Sequence, residues 1–263
     1  MFADDQWSSG SGYELYVGRW SRLVATRFID WLASTPGGRW LDVGCGTGAL
    51  TETILTAAQP ALVRGVDPSI DYVKFARDRI SDPTAEFEVA DAHHLPGDDG
   101  SYDYTVSALV LNFLSDPAGG LDEMKRVTRS GGHVATYVWD YAQGMELMRY
   151  LWDAASELHP QAASLDEGAR FPICRPEPLR SLWEHAALRD VSVVPIDIDT
   201  VFSDFDDYWS PFLGGQGPAP GFVMSVSESA RAELRALLQS RLPVQDDGSI
   251  RLRARAWGVR GQI

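Results

Sequence analysis

The sequence predicts an α/β fold, in which a parallel sheet carries helices on both faces. Short strand-like runs of apolar residues alternate with helical stretches from residue 39 to residue 139, the order that builds a parallel sheet. A glycine-rich loop, Gly44-Cys45-Gly46-Thr47-Gly48, joins the first strand to the helix that follows it. With 263 residues, 44% of them hydrophobic, the chain can bury a sizeable core, as one large domain or as a domain with an added cap.

The elements of the first half follow from the spacing of apolar residues. A helix is predicted over residues 13–33, where apolar residues recur at helical spacing, and Pro36-Gly37-Gly38 ends it. Five strands and three helices then alternate. The strands are predicted at 40–43, 62–66, 86–89, 102–108 and 133–139, and the helices at 49–58, 70–80 and 121–127.

The regular alternation stops after Trp139. The remaining elements are predicted as helical residues at 141–170, a helix at 179–187, a strand at 191–198, a helix at 229–242 and a last strand at 250–257. Residues 203–222 are dense in aromatic residues, glycine and proline. An insertion on each side of the sixth strand predicts a cap over the carboxyl edge of the sheet, where ligands bind in open α/β folds.

Composition disfavours several classes of partner. The net charge of −14 repels a phosphate backbone, so we expect no nucleic-acid partner. With only two cysteines, a framework of disulfides is not expected. The first residues are polar and acidic, unlike a signal peptide. No apolar run reaches the roughly 18 residues that a membrane span needs. No His and Cys pair has zinc-ligand spacing. We therefore expect a cytoplasmic monomer or homodimer with neither metal nor membrane contact.

The glycine loop raises the question of its ligand. Gly44-x-Gly46-x-x-Ala49, with Asp67 about 20 residues further on, satisfies the dinucleotide fingerprint. Asp42, two residues before the first glycine, would repel a pyrophosphate but attract a positively charged ligand. No lysine follows the loop, which excludes a P-loop. A ligand with adenosine, sulfonium and ammonium groups suits these residues better, and S-adenosylmethionine (SAM) has all three.

Carboxylates at the ends of three successive strands support this interpretation. Asp42 lies at the end of the first strand. Asp67 lies at the end of the second, where its carboxylate can accept hydrogen bonds from both ribose hydroxyls. Asp91-Ala92 follows the third, where the carboxylate can accept from the adenine amine and a backbone N–H can donate to a ring nitrogen. Glycines in the loop permit close backbone approach to the ligand. Each acid alone has an ordinary reading as a turn-capping side chain, but three in register with the loop indicate a SAM site.

The motifs "LDVGCGTG", "GVDPS", "ADAHHLP" and "YDYTVSALVLNFLSDP…RVTRSGGHV" resemble those of the class I SAM-dependent methyltransferases. The resemblance is closest to the branch related to ubiquinone and menaquinone C-methylation, and it covers roughly residues 39–140. It implies a Rossmann-like mixed sheet of seven strands whose last strand is antiparallel, with a helical and loop cap. It also implies a methyltransferase whose acceptor is a small molecule.

The resemblance assigns roles to individual residues. It implies that the SAM site includes Gly44, Gly46, Gly48, Asp67 at the ribose, Pro68, Asp91 and Ala92 at the adenine, and a carbonyl of Ser107 or Ala108 at the ammonium. Asn112 stands where the family commonly has a histidine, which disfavours proton abstraction there. No catalytic base is assigned, because in-line transfer from a sulfonium needs one only for acceptors of high pKa.

Residues outside the motifs supply further candidates. Tyr16 and Arg19 are expected to bind the methionine carboxylate of SAM, although Tyr16 and Trp20 could instead pack against the cap. His93 and His94 are interpreted as loop histidines with satisfied ring nitrogens. Candidates for the acceptor pocket are Asn112, Trp139, Tyr141, Tyr208, Trp209 and Phe212. The aromatic residues among them could equally form the core of the cap itself.

The sequence therefore predicts four segments. They are a cofactor-covering segment at 1–35, a SAM-binding core at 36–140, a cap insertion at 141–187 and the remainder of the sheet at 188–263, with a second insertion at 203–225. Besides a methyltransferase, we considered a SAM-binding regulator or scaffold that does not methylate. A dinucleotide-dependent oxidoreductase and a nucleic-acid methyltransferase are further alternatives, opposed by Asp42 and by the net charge respectively.

Overall fold

The computed structural model describes residues 18–214 and 217–263, and the predicted site residue Tyr16 lies outside them. The strands in these ranges are β1 (Arg39–Val43), β2 (Leu62–Asp67), β3 (Ala85–Val89), β4 (Tyr102–Ala108), β5 (Thr128–Trp139), β6 (Arg189–Phe202) and β7 (Ile250–Gln262). The α-helices are α1 (Arg19–Leu32), α2 (Ala49–Ala57), α3 (Ile70–Arg79), α4 (Pro117–Val127), α5 (Glu146–Leu158), α6 (Glu167–Arg170), α7 (Pro176–His185), α8 (Phe205–Trp209), α9 (Pro218–Ser225) and α10 (Glu228–Arg241). None of the helices in the described ranges combines the length and the apolar character needed to cross a bilayer.

The seven strands form one sheet in the order β3-β2-β1-β4-β5-β7-β6. Strands β1 to β5 pair in parallel, and the last strand runs antiparallel. This confirms the predicted Rossmann-like mixed sheet. The strand order reverses between β1 and β4, and their carboxyl ends therefore open a crevice of the kind in which ligands bind in such sheets.

The central strand β1 is almost completely buried. Its residues from Trp40 to Val43 are all buried, because helices cover both faces of a central parallel strand. The edge strand β3 differs, since only Phe87 of its five residues is buried. Asp42 is thus a carboxylate placed in the middle of the apolar core.

The chain divides into two compact units. The first, here called the sheet unit, comprises Ser21–Val138, Arg175–Ile196 and Ala256–Ile263. The second, here called the aromatic unit, comprises in its described part residues 18–20, Trp139–Cys174 and, apart from residues 215–216, Asp197–Arg255.

Several element bounds differ from the predicted ones for local reasons. The helical stretch predicted at 141–170 breaks into α5, a 3₁₀ turn at Pro160–Ser164 and α6, because Pro160 has no N–H to donate to a continuing helix and Asp166 caps the next one. Strand β5 begins at Thr128 rather than at residue 133, since Thr128 already pairs with Tyr102 across an irregularity in the ladder. The aromatic stretch near residue 205 forms the short helices α8 and α9.

Candidate functional site

Two glycines of the loop, Gly44 and Gly46, have left-handed backbones in different surroundings. At Gly44 the backbone is left-handed (φ 73°), and an added Cβ would lie 2.4 Å from the Cγ2 atom of Val110. At Gly46 the backbone is also left-handed (φ 52°), but an added Cβ would meet nothing within 4 Å. Gly44 is therefore required by packing against the loop after β4, whereas Gly46 faces open space where a ligand can approach the backbone.

The N–H groups of this loop are largely used within the protein. Those of Gly44 and Cys45 donate to the Val66 carbonyl at 2.7 and 2.8 Å, and that of Gly48 donates to the Cys45 carbonyl at 2.8 Å. The Gly46 N–H donates to Oδ2 of Asp67 at 3.0 Å. A pyrophosphate is normally held by free N–H groups at such a helix start. The geometry of this loop therefore favours a ligand that presents no phosphate to it.

Asp42 is a fully buried carboxyl group with one unused oxygen. Its Oδ2 accepts a hydrogen bond from the Thr51 hydroxyl at 2.7 Å, while its Oδ1 has no partner in the described structure. Burial raises the pKa of Asp42 to about 7, and the negative charge of Asp67 adds to this effect. A cationic N–H donor at Oδ1 would satisfy the oxygen and favour the ionised form. The ammonium of an amino acid fits this requirement.

Asp67 links the glycine loop to the next turn. Its Oδ2 accepts from the Gly46 N–H, and its Oδ1 accepts from the Ser69 N–H at 2.9 Å, across Pro68. Burial raises the pKa of this carboxyl group. Each carboxylate oxygen can accept more than one hydrogen bond, so the predicted contact with ribose hydroxyls remains compatible with this structural role.

The loop after β3 brings Asp91 and His93 together. Oδ1 of Asp91 accepts from the backbone N–H of His93 at 2.8 Å and lies 2.8 Å from Nδ1 of its ring. The other ring nitrogen, Nε2, lies 3.0 Å from the carbonyl oxygen of Asp116. The prediction of satisfied ring nitrogens is thus confirmed for His93. Ala92 is buried beside the exposed Asp91 carboxylate.

Two carbonyl groups at the end of β4, those of Ser107 and Ala108, are predicted to accept a hydrogen bond from the SAM ammonium. The Ser107 carbonyl already accepts from the Thr136 hydroxyl at 2.8 Å, and the Ser107 hydroxyl donates to the Val43 carbonyl at 2.9 Å. Ala108 is therefore the better candidate to accept from a ligand. Four residues later, Asn112 is 8% exposed, and neither its amide nitrogen nor its amide oxygen has a partner in the described structure.

The aromatic candidates all lie in the aromatic unit and are buried. The Tyr208 hydroxyl donates to the Leu147 carbonyl at 2.9 Å, and its ring packs against Phe202 and Phe212 at 5.4 and 5.5 Å between centroids. Trp209 and Tyr141 are also buried. This packing favours the interpretation as a core of the unit, although Trp139 keeps an indole N–H without a partner in the described structure.

Arg19 also belongs to the aromatic unit. Its Nη1 pairs with Oδ1 of Asp207 at 2.9 Å, and its guanidinium lies over the rings of Trp20 and Phe202 at 4.4 and 4.8 Å. Its Nε and Nη2 are buried without a partner in the described structure. No described residue therefore binds the guanidinium edge formed by Nε and Nη2, and the role of Arg19 as a carboxylate ligand stays a prediction.

Sequence reasoning missed two residues that the structure makes prominent. Thr51 is the partner of Asp42, and no motif marks it. Glu167 is buried in the aromatic unit, where it accepts from the indole N–H of Trp152, and burial raises its pKa to about 7. Both contacts join residues whose proximity only the fold determines. In the described part of the chain, no three His, Cys, Asp or Glu side chains are grouped to hold a metal ion.

Comparison with known proteins places these features in context. A family model for a methyltransferase domain matches residues 41–136. Over 116 residues the chain is 41% identical to an uncharacterised 37.1 kDa protein in transposon TN4556 of Streptomyces fradiae, covering 43% of this chain and 34% of that protein. Over 114 residues it is 35% identical to the demethylmenaquinone methyltransferase of Renibacterium salmoninarum, covering 43% and 45%. The matches thus span less than half the length of these curated relatives.

The fold has a counterpart in a solved structure with little sequence identity. Phosphoethanolamine N-methyltransferase 2 of Haemonchus contortus, solved in complex with SAM, superimposes with a TM-score of 0.59 at 17% identity. The superposition covers 96% of this chain and 56% of that chain. At this identity the likeness concerns the fold alone.

Proposed function

We propose that this chain, which belongs to the class I SAM-dependent methyltransferases through residues 41–136, binds SAM and transfers its methyl group to a small-molecule acceptor. The observation that carries the proposal is that Oδ1 of the buried Asp42 has no partner among the described residues, next to a glycine loop that is open at Gly46. A buried carboxyl group without a partner is costly, and a ligand ammonium would relieve that cost.

The residues of the sheet unit fit the parts of SAM. We assign Asp42 and the carbonyl of Ala108 to the ammonium, Asp67 to the ribose hydroxyls, and Asp91 with Ala92 to the adenine. Pro68 lies in the turn between Asp67 and Ser69, beside the adenine in this assignment. SAM supplies the electrophilic methyl carbon, so the protein's own task is to hold the cofactor, orient the acceptor and exclude water.

Asn112 is our candidate for orienting the acceptor. Its buried amide offers both a donor and an acceptor without a partner in the described structure, which suits an oxygen or nitrogen atom on a small molecule. An amide does not accept a proton at neutral pH. Asn112 therefore positions the acceptor and does not deprotonate it, and the acceptor atom can be oxygen, nitrogen or carbon.

Two observations support this function over the alternatives. The loop N–H groups that would hold a pyrophosphate already donate to Val66, Cys45 and Asp67, which disfavours a dinucleotide-dependent oxidoreductase. The net charge of −14 opposes the binding of a nucleic-acid acceptor. We take the acceptor to be bound by residues outside the glycine loop, with Asn112 as the candidate in the sheet unit.

Calorimetry with SAM, S-adenosylhomocysteine and NAD tests the cofactor. We expect the two sulfur compounds to bind in the micromolar range, and Asp67→Ala to weaken them by roughly 2–3 kcal/mol, the range for hydrogen bonds to a charged group. Asp71→Ala is the matched control, because Asp71 is an exposed carboxylate in the first turn of α3. Tighter binding of NAD than of S-adenosylhomocysteine would overturn the proposal, and a change below about 0.5 kcal/mol at Asp67 would move the ribose site elsewhere.

Turnover separates an enzyme from a SAM-binding regulator. The protein is incubated with SAM and a panel of phenols, amines and carbon acids, and S-adenosylhomocysteine is measured. We expect acceptor-dependent formation of S-adenosylhomocysteine that Asp67→Ala reduces at limiting SAM. Mass spectrometry of small molecules that copurify with the protein would identify the acceptor class directly.

A further inference from the structure

His93 lies between two groups that can only accept hydrogen bonds. Its Nδ1 is 2.8 Å from Oδ1 of Asp91, and its Nε2 is 3.0 Å from the carbonyl oxygen of Asp116. An ionised carboxylate and a backbone carbonyl have no proton to donate. The ring thus bridges the loop after β3 to the residue that precedes α4.

The protonation state of the ring decides whether both contacts exist. A neutral imidazole carries one N–H, so it can donate to Asp91 or to Asp116 but not to both. An imidazolium carries two N–H groups and satisfies both acceptors at once. The observed arrangement is therefore the one that the charged form of His93 fits.

The contacts of Asp91 leave part of its carboxylate available. Both the backbone N–H and the ring Nδ1 of His93 approach the same oxygen, Oδ1. The other oxygen, Oδ2, is the one to which we assign the ligand amine. His93 thus fixes the rotation of the Asp91 side chain, which is otherwise exposed to solvent.

The charged groups around His93 favour the imidazolium. Asp91 and His94 share its loop, and Asp116 and Glu123 face this loop from α4 and its N-cap. The hydrogen bond to Asp91 raises the pKa of His93 most, and the Asp116 carbonyl raises it further. Glu123 is already paired with Arg126 at 2.8 Å and accepts from the Leu95 N–H, and the Asp116 carboxylate accepts from the Gly119 N–H.

We propose that His93 is a positioning residue for the cofactor, and that it clamps the Asp91 carboxylate for adenine as an imidazolium, so that adenine binding weakens as the pH rises and the ring loses its proton. This proposal rests on the proposed function, because it takes Asp91 as the adenine ligand. It adds a residue that the SAM motifs do not include, and it gives cofactor binding a pH dependence of defined sign. When the ring loses its second N–H, it loses either the hydrogen bond to Asp91 or the one to the Asp116 carbonyl.

The test uses 5′-methylthioadenosine, which keeps the adenine and ribose of SAM but has no ammonium to interact with Asp42. Its dissociation constant is measured by calorimetry from pH 5.5 to 9 for the wild-type protein, His93→Gln and His94→Gln. His94 is the matched control, because it is the exposed neighbour in the same loop. We expect affinity of the wild type and His94→Gln to fall up to about tenfold as the pH rises, one tenfold step for a one-unit difference in pKa between free and bound protein. His93→Gln is expected to bind with no such slope.

A second readout follows from reciprocity. If deprotonation of His93 weakens binding, then binding must raise the pKa of His93, and an NMR titration of its ring with and without 5′-methylthioadenosine measures that change. A wild-type affinity that is flat with pH, or a slope that persists in His93→Gln, overturns the proposal. Failure of S-adenosylhomocysteine to bind at any pH overturns the proposed function itself, whereas normal binding with a flat 5′-methylthioadenosine profile overturns only the role of His93.

Discussion

Each of the two units contains one buried carboxylic acid whose pKa burial raises to about 7, and the two acids differ in what surrounds them. Asp42 of the sheet unit has a hydroxyl donor at Oδ2 and no partner at Oδ1 in the described structure. Glu167 of the aromatic unit accepts from the Trp152 indole and from its own backbone N–H. A raised pKa therefore does not by itself distinguish a binding group from a structural one.

The difference lies in the unused oxygen. Glu167 accepts a hydrogen bond from the indole of Trp152, so its burial costs little beyond the desolvation of the carboxyl group. Asp42 has one carboxyl oxygen in the core that no described residue reaches, and its neighbours are the glycine loop and Asp67. We take the lack of a partner for Oδ1 of Asp42 among the described residues, and not the pKa of Asp42, as the mark that distinguishes it from Glu167.

The largest expected effect is a loss of stability as the pH rises from about 4 to above 7. Folded Asp42 keeps its proton up to about pH 7, whereas the unfolded group loses it near 3.8, so its contribution is complete below that value and is lost as the pH passes 7. The shift corresponds to on the order of 4 kcal/mol for Asp42 and about 3 kcal/mol for Glu167. Urea unfolding between pH 4 and 8 measures the free energy of unfolding directly.

Two substitutions separate the contributions to that profile. Asp42→Asn and Glu167→Gln each replace a protonated acid by a neutral group of similar shape, so each should remove its own part of the pH dependence. In the double variant, the free energy of unfolding should depend on pH only through other groups. One of these is His93, whose raised pKa makes the folded protein less stable once the ring loses its proton. A wild-type profile that either substitution leaves unchanged would show that the corresponding acid is already ionised in the folded protein.

The second effect tells the two acids apart. If the ammonium of SAM binds at Oδ1 of Asp42, binding favours the carboxylate and releases a proton below about pH 7. Calorimetry of SAM at pH 6 in two buffers of different ionisation enthalpy should show this proton release in the wild type and in Glu167→Gln. Asp42→Asn should abolish it.

The matched ligand for this experiment is 5′-methylthioadenosine. It has no ammonium, so it should release no proton from Asp42 in any of the three proteins. Equal proton release by SAM in the wild type and in Asp42→Asn would mean that the ammonium lies elsewhere. Loss of the release in Glu167→Gln would instead assign the titrating group to the aromatic unit.

The contrast between the units also explains what the sequence could predict. The bend at Gly44-Cys45-Gly46-Thr47-Gly48 and the strand-end positions of Asp42, Asp67 and Asp91 follow from local patterns, because a glycine-rich loop after an apolar strand constrains its own backbone. The mixed seven-stranded sheet is predicted only through the resemblance to a family. The sequence also predicts Asn112 as a pocket candidate; this stays a prediction, and its amide has no partner among the described residues.

What the sequence could not predict depends on contacts between distant residues. The pairing of Arg19 with Asp207 joins positions 188 apart, and the contact between Trp152 and Glu167 crosses the break between α5 and α6. Aromatic residues such as Tyr208 and Phe212 fit a pocket and a core equally well by composition, and their complete burial becomes visible only in the packed structure. Asp42 was recognised as a strand-end acid, but only the fold shows that Thr51 reaches one of its oxygens and that no described residue reaches the other.

The smallest effect extends the comparison from acids to donors, through two tryptophans that are buried to a similar degree. The indole N–H of Trp183 in the sheet unit donates to the Val134 carbonyl at 3.2 Å, whereas that of Trp20 in the aromatic unit has no partner in the described structure. Phenylalanine removes the N–H and part of the ring at both positions, and at position 20 it keeps an aromatic face for the guanidinium of Arg19, so the hydrogen bond of Trp183 is the main difference. We expect Trp183→Phe to lower the free energy of unfolding by about 1 kcal/mol more than Trp20→Phe, the typical net value of one hydrogen bond. Urea unfolding of both variants at pH 6, without ligand, makes this comparison. If Trp20→Phe is the more destabilising of the two, the ring contacts of Trp20 with Arg19 and Phe202 contribute more than the hydrogen bond of Trp183, and the expected order is wrong.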